Sequence, residues 1–256
     1  MTARVAVVTG AASGMGRECV EKLRSRVDQI VAVDLAAPTV DGTTGVACDV
    51  SDRAAVGALV EQVREIGVLR ALVHAAGISP TMADARRVFE VDLVGTHHIL
   101  DGFEPLVVAG SAAVCFSSSA AYQVAPFVDA EQDGMLDAPH APDFLDRITA
   151  VVGDSGFAYA LAKRGVIRAV GRAAVRWGPL GGRVNSVAPG LIDTPMGRQE
   201  FDRQPIMGEM LDRTPLGRLG HPSEVADVVV YLLSDEASFV SGIDVLVDGG
   251  MVQGMA

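Results

Sequence analysis

Short, mostly apolar runs recur along this chain at residues 5–8, 30–33, 46–47, 71–74, 112–116, 183–187 and 243–247. Between them the apolar positions fall three and four apart, as at 52–66 and 222–233, which is the helical period. A continuous apolar run of four to seven residues reads as a strand buried on both faces. Seven such strands separated by helices predict an α/β domain with a doubly wound parallel sheet and right-handed crossovers. No internal repeat or linker interrupts the pattern. One stretch breaks its rhythm: residues 126–156 are rich in Asp, Pro and Ala. Within that stretch Phe144, Leu145, Ile148, Val151 and Val152 return at helical spacing, after Pro142-Asp143 as a start and before Gly153 as a stop. The pattern predicts an inserted helix that must bury its apolar side.

The first strand runs into Thr9-Gly10-Ala11-Ala12-Ser13-Gly14-Met15-Gly16, and a helix follows with Cys19, Val20 and Leu23 on one side. Strand, glycine-rich turn and helix N-terminus together form a cradle for a pyrophosphate. Glycine lets the backbone approach phosphate, and the helix's free N–H groups and positive dipole end face the anion. The second strand ends in Asp34, eighteen residues after Gly16. Its carboxylate falls where an adenosine ribose would offer its hydroxyls, so the expected ligand is a dinucleotide.

Composition narrows the class. At 256 residues and 49% hydrophobic, one domain with a large core is expected. A net charge of −11 argues against nucleic acid or an anionic membrane surface as partner. Cys19, Cys48 and Cys115 have no paired spacing and read as reduced core residues. With no leader-like segment before the first strand and no bilayer-length apolar run, a cytoplasmic, soluble protein is expected. His97 and His98 lie on a helix far in sequence from any second ligand pair, so no metal site is expected.

Tyr159 and Lys163 stand four apart and share one face of a helix. A phenol titrates near pH 10, and a neighbouring ammonium stabilises its phenolate and draws that value down towards a useful proton donor and acceptor. Alone, this spacing describes many surface pairs. With the rest of the chain, it resembles the short-chain dehydrogenase/reductase family over nearly its whole length. The matching pieces are the turn from Thr9 to Gly16, the acid Asp34, the pair Asp49-Val50, and Ala75-Ala76-Gly77. They continue with Phe116-Ser-Ser-Ser119, Tyr159 and Lys163, the run from Asn185 to Pro189-Gly190, then Ile192 and Thr194, and the closing Val247-Asp-Gly-Gly250.

The resemblance implies a single Rossmann domain spanning 1–256, with an insertion at 126–156 before the tyrosine helix and a substrate loop at 191–217. It implies hydride transfer between a nicotinamide and a secondary alcohol or ketone. Tyr159 would give or take the hydroxyl proton, and Lys163 would hold the ribose and lower the tyrosine pKa. Ser118, rather than Ser117 or Ser119, would hold the substrate oxygen. Asp49-Val50 would touch adenine, Ala75, Ala76, Gly77, Pro189 and Gly190 would line the cofactor, and Ile192 and Thr194 would hold the carboxamide. Asp34, flanked by Ser13 and Leu35 and by no cation, implies NAD rather than NADP.

Two substitutions depart from the family pattern. His74 stands where an asparagine ties strands together, and no catalytic role is expected of it. Asp92 stands where the family's asparagine holds a relay water through its main chain. That role can survive the change, while the carboxylate would stabilise Lys163 as an ammonium. Asp92 is also the only feature that favours the alternative of a silent NAD-sensing protein acting through partners. Ser118 and Tyr159 are 41 residues apart, and Gly77 and Asp92 fifteen. Both spacings are similar to the bacterial 3α-hydroxysteroid dehydrogenase/carbonyl reductase subgroup. Met196, Phe201, Ile206, Met207, Met210 and Leu211 are either an apolar substrate loop or a helix packed on the sheet. The expected substrate is hydrophobic, steroid- or terpenoid-like. The apolar side of the insertion predicts a homo-oligomer, dimer or tetramer.

Overall fold

The computed structural model describes residues 2–255. In chain order the main elements are β1 (Arg4–Thr9), α1 (Gly14–Leu23), β2 (Gln29–Asp34), β3 (Thr44–Ala47), α2 (Arg53–Ile66), β4 (Val68–His74), α3 (Ala85–Val88), α4 (Gly95–Phe103), β5 (Ala112–Phe116) and α5 (Ala120–Val124). They continue as α6 (Ala130–Leu136), α7 (Phe144–Val151), α8 (Ser155–Trp177), β6 (Arg183–Pro189), α9 (Pro195–Arg203), α10 (Ile206–Asp212), α11 (Pro222–Leu233), β7 (Asp244–Val247) and α12 (Met251–Gly254). A wide π turn, Phe89–Val94, joins α3 to α4.

The seven strands form one parallel sheet in the order β3-β2-β1-β4-β5-β6-β7. The order reverses between β1 and β4, so the chain winds one way through β2 and β3 and the other way through β5 to β7. At such a reversal the loops after the strand ends separate and leave a crevice. Val5, Val7, Leu72 and Cys115 point to one face, covered by residues such as Leu59, Phe103, Val170 and Trp177. Ala6, Val8, Val73 and Val114 point to the other, covered by residues such as Val20, Leu23, Val225 and Val229. Being apolar on both faces is why these strands read as unbroken apolar runs.

The expected strand centres hold, with shifted ends. β4 starts three residues before the expected 71–74, because Arg70 is carried within it by directing its guanidinium to the Ala109 carbonyl at 3.1 Å. β6 runs on to Pro189, whose missing N–H costs nothing at a strand end.

The insertion holds two helices where the apolar pattern predicted one. Phe144 and Ile148 on α7, with Met135 and Leu136 on α6, are buried against Val88, Phe89, Leu93 and Leu161. Phe144 meets Phe89 edge to face with ring centres 5.9 Å apart. Much of the apolar side that was expected to seek another subunit is therefore covered by this chain's own core, although Val151 stays 51% exposed. α6 was hidden by its acidic composition, yet it carries a legible start: Asp129 and Gln132 form a reciprocal capping box. Charge also fastens α6 to α8. Arg164 binds Asp133 through two bonds of 2.8 Å, and Arg168 binds Asp137 at 2.7 and 2.6 Å.

Candidate active site

A cleft of about 1040 Å³ opens at the carboxyl ends of the strands. Every catalytic and cofactor residue selected from the sequence lines it except Asp92, which lies behind Lys163. At one end Gly10 takes φ +69°, and a side chain there would sit 2.7 Å from the Ala75 carbonyl oxygen. A Cβ on Gly16 would collide with the Gly10 carbonyl, so α1 can start this close to β1 only with glycine at that position. Ser13 precedes α1 without a side-chain cap, and no acid occupies the helix's first turn. The first amides of α1 thus keep their donors for an anion.

Asp34 ends β2 at the edge of this cradle. Its two oxygens accept from the Ala12 and Leu35 amides at 3.0 and 2.8 Å, which fixes the carboxylate plane while leaving further lone pairs for hydroxyl donors. The cations lining the cleft are Arg87, Lys163 and Arg198. Arg87 is paired with Asp49 at 2.8 Å and Arg198 with Asp193 at 2.6 Å. Asp49 is further held by Ser51, through its amide at 2.9 Å and its hydroxyl at 2.6 Å. Arg87 therefore shapes the Asp49 end of the cleft, and sequence spacing gave no sign of it.

Lys163, Tyr159 and Ser118 meet in the middle of the cleft. Lys163 is buried on α8, with its Nζ 5.5 Å from the centre of the Tyr159 ring. Its ammonium donates to Asp92 Oδ1 at 3.1 Å and to the Phe116 carbonyl at 3.2 Å. Asp92 is fully buried in the π turn. There Oδ1 also accepts from the Ile78 amide at 3.2 Å, and Oδ2 has no partner. Gly77 is required by this pair: a Cβ there would lie 2.5 Å from Asp92 Oδ1 and 3.1 Å from Lys163 Nζ.

The electrostatics follow from burial and from this contact. Burial disfavours the charge on Lys163, but Asp92, through its charge and its hydrogen bond, together with Tyr159 and Cys115, outweighs burial and holds the lysine above its ordinary pKa. Burial pushes the Asp92 carboxyl up, and Lys163 opposes that rise. For Tyr159 the sequence-based expectation of a lowered pKa is not met. Burial pushes the phenol up, Lys163 pulls it down only in part, Asp92 and Glu200 add to the rise, and a hydrogen bond from Ser118 lowers it. The Asp92 charge that helps keep Lys163 protonated also opposes the pull of Lys163 on the phenol.

Of the three serines, Ser118 is the one that meets Tyr159. The Ser117 hydroxyl shares its one proton between the Val187 carbonyl at 3.0 Å and Asp244 at 2.7 Å, so it ties the end of β5 to its neighbours. Ser119 is buried, and its amide donates to the Pro189 carbonyl at 3.0 Å.

His74 carries a structural chain of hydrogen bonds. The Ala76 amide donates to Thr9 Oγ1 at 3.1 Å, so the Thr9 hydroxyl donates onward to His74 Nδ1 at 2.8 Å. His74 Nε2 then carries the proton and donates to Thr96 Oγ1 at 3.1 Å, and Thr96 donates to the Asp92 carbonyl at 2.6 Å. Burial first, and then Lys163, drive the His74 pKa down to about 3, which keeps it neutral and this chain single-directed. The imidazole bridges β1, β4 and the first turn of α4, and reaches the π turn through Thr96, a tying role in keeping with the expectation for this position.

Helices α9 and α10 form the far wall. Met196, Phe201, Ile206, Met207 and Met210 line the cleft, and Leu211 does not. The segment is thus helical and faces the cleft at once. Thr194 caps α9 by accepting from the Gly197 amide at 2.9 Å, and its methyl would lie 3.3 Å from a Cβ on Gly14. Glu200 brings a buried carboxyl into this wall, which Arg198, Asp202 and Gln204 also line. Its pKa is raised by burial, which Ser79 and Lys163 oppose. A lone glutamate in this segment carries no sequence signal of a site, and only the fold turns it inward.

A family model described as enoyl-(acyl carrier protein) reductase matches residues 10–132 and 146–252. The gap between them falls within the insertion. The chain belongs to the short-chain dehydrogenase/reductase family of oxidoreductases. It is 35% identical over 272 residues to cis-4-hydroxycyclohexanecarboxylate dehydrogenase of Sinomonas cyclohexanicum, covering 96% of each chain. It is 30% identical over 264 residues to 3-alpha-hydroxysteroid dehydrogenase/carbonyl reductase of Comamonas testosteroni, again covering 96% of each. It spans 43% of the length of an uncharacterised short-chain type dehydrogenase/reductase of Sinorhizobium fredii, at 34% identity. Among solved structures, it resembles the 3-alpha-hydroxysteroid dehydrogenase of Pseudomonas sp. B-0831 complexed with NADH. The TM-score is 0.83 and the identity 33%, over 98% of both chains. Among the described residues no helix is long and apolar enough to cross a membrane.

Proposed function

We propose that this protein is an NAD-dependent dehydrogenase that interconverts a secondary alcohol and a ketone on a largely apolar small molecule. One observation carries the reading: Ser118, Tyr159 and Lys163 converge in the same cleft that holds the glycine cradle and Asp34. The cradle fits a dinucleotide pyrophosphate, since its uncapped amides face the cleft and its glycines leave no Cβ in the way. The nicotinamide, when bound, supplies the hydride acceptor or donor.

The chain's residues do the rest. Asp34 accepts from the two ribose hydroxyls and repels a 2′-phosphate, which selects NAD. Asp49 and Val50 flank adenine, and Ala75, Ala76, Gly77, Pro189, Gly190, Ile192 and Thr194 form the walls along the cofactor. Ser118 holds the substrate oxygen. Tyr159 takes the alcohol proton during oxidation and returns it during reduction. Lys163 holds the nicotinamide ribose and stabilises the phenolate, while Asp92 keeps Lys163 charged from behind.

Residues 191–217 form the substrate wall. Its thioether and aromatic lining suits a hydrophobic ring system such as a steroid or terpenoid. The relatives that act on a hydroxysteroid and on a hydroxycyclohexane acid support an alicyclic alcohol. Of the insertion at 126–156 only Gly156 lines the cleft, and the protein acts as a cytoplasmic homo-oligomer. The test is the change in absorbance at 340 nm with NAD, and separately with NADP, across a panel of alicyclic alcohols and ketones. Turnover with NAD on at least one member is expected. Inertness towards the whole panel, with NAD bound, would overturn the reading.

A further inference from the structure

We propose that His97 and Asp101 of α4, with His140 of the insertion, bind a divalent transition-metal ion of the zinc class. One donor atom from each lies within 4.8 Å of the other two. His97 and Asp101 stand one helical turn apart, and so share a face. His140 reaches that face from the connection between α6 and α7, and its Nε2 lies 3.1 Å from Asp101 Oδ2. That spacing is close to the roughly 3.3 Å separating neighbouring ligand atoms around a tetrahedral zinc ion.

A second observation points to a ligand. His97 is 8% exposed, and its Nε2 is buried without a hydrogen-bond partner. A buried ring nitrogen beside two other donors is completed by a metal ion as well as by a proton. Two neutral imidazoles and one carboxylate form a donor set that suits Zn²⁺, Co²⁺ or Ni²⁺ and leaves a position for water. The supporting contacts resemble those that orient ligands elsewhere. Arg176 donates to Asp101 Oδ1 at 2.6 Å and leaves Oδ2 towards His140. His98 stacks on the His140 ring at 5.3 Å, holding it over α4. Asp101 and His140 are exposed, so an ion has an open path, and both can rotate inward while His97 stays in place. The Arg176 charge opposes a cation, so the affinity should fall below that of a closed four-ligand zinc site. An ion here would pin the insertion to the helix that carries the Asp92 turn. This site lies outside the cleft and does not depend on the proposed oxidoreductase activity.

The experiment uses full-length protein, free of any affinity tag and dialysed against chelator. It is titrated with Zn²⁺ by calorimetry and with Co²⁺ by visible absorption. One ion per chain is expected, with the d–d bands of a nitrogen–oxygen site and no sulfur charge-transfer band. His140→Ala and Asp101→Asn, both at exposed positions, should each weaken binding by at least the roughly tenfold that loss of a supporting partner costs. Zinc should raise the melting temperature of the unaltered protein and not of His140→Ala. Absence of stoichiometric binding, a thiolate spectrum, or unchanged affinity in both variants would overturn the proposal.

Discussion

Lys163 Nζ lies 3.1 Å from Asp92 Oδ1, and the two side chains are 7% and 0% exposed. This buried ion pair replaces the uncharged residue that the family places behind its lysine. It binds the two charges to each other before any substrate arrives, and it sets the balance of field at Tyr159. Asp92 raises the pKa of the phenol that Lys163 lowers.

Asp92→Asn should therefore shift the pH profile in a defined direction. Removing the negative charge lowers the Tyr159 pKa, so the rise of kcat/KM for alcohol oxidation should begin at lower pH. The fall of the ketone reduction rate at alkaline pH should move the same way. The carbonyl that receives the Thr96 hydroxyl is main chain and survives the change. kcat at its optimum should accordingly change by less than about tenfold, or ~1.4 kcal/mol of barrier. A limb that stayed in place or moved upward would show that Asp92 does not act on Tyr159.

Tyr159→Phe and Lys163→Ala should fail differently. The first removes only the proton donor, and should cost roughly 10²–10⁴-fold in turnover while NAD titration stays nearly unchanged. The second removes the partner of a fully buried carboxylate. Breaking such a pair typically costs about 3–5 kcal/mol of stability, so Lys163→Ala should lose cofactor affinity and melt earlier. The double variant Lys163→Ala/Asp92→Asn should recover part of that melting loss and none of the activity. A Tyr159→Phe enzyme keeping more than about a tenth of the rate would contradict the assignment of the donor.

Asp34 should decide between the two nicotinamide cofactors. The lining cations at the cleft are either paired with acids or, as Lys163, set beside Tyr159. NADH should bind more tightly than NADPH in a fluorescence titration, and Asp34→Ala should narrow the ratio by about tenfold or more, ~1.4 kcal/mol. Because Asp34 also anchors the Ala12 and Leu35 amides, NADH affinity should fall in this variant as well. Equal affinities in the unaltered protein would sink the argument.

The strands and the cradle were legible in the sequence because their signals are local. An apolar run bounded by turns marks a buried strand, and glycines next to a strand end mark a phosphate turn. Ser118 was chosen over Ser117 and Ser119 through the family resemblance at the end of β5, with alternation turning only Ser119 away. Contacts made across the fold were less legible: the resemblance set the Asp92 charge near Lys163 without showing their direct bond, and it gave no sign of the others. The direct bond between Asp92 and Lys163 spans 71 residues. Arg87 reaches Asp49 across 38, and His140 reaches Asp101 across 39. The sign of the Tyr159 shift was misread for the same reason: a pair four apart on a helix shows the lysine but not the burial or the two acids beyond it. The insertion showed its apolar side without showing what would cover it.

That cover is the chain itself. Phe144 is 3% exposed and packs edge to face on Phe89, which begins the π turn carrying Asp92. If the insertion were an appendage held by a neighbouring subunit, truncating Phe144 would loosen the assembly and leave the protomer's stability intact. Its burial against Phe89 and Leu161 makes it part of the protomer's core. Phe144→Ala should then cost about 3–5 kcal/mol in denaturant unfolding, as aromatic truncation in a packed core does. It should also lower kcat, because the cavity lies directly under the turn that holds Asp92 against Lys163. Mass by light scattering should remain that of the unaltered protein, the proposed homo-oligomer, wherever the protein is folded. Val151, the exposed apolar residue on α7, gives the opposite test: Val151→Asp should leave protomer stability within about 0.5 kcal/mol. If Val151→Asp splits the oligomer, the remaining exposed edge of α7 is the subunit contact. If Phe144→Ala dissociates the oligomer while the protomer stays stable, the insertion is held by its neighbour and not by its own core.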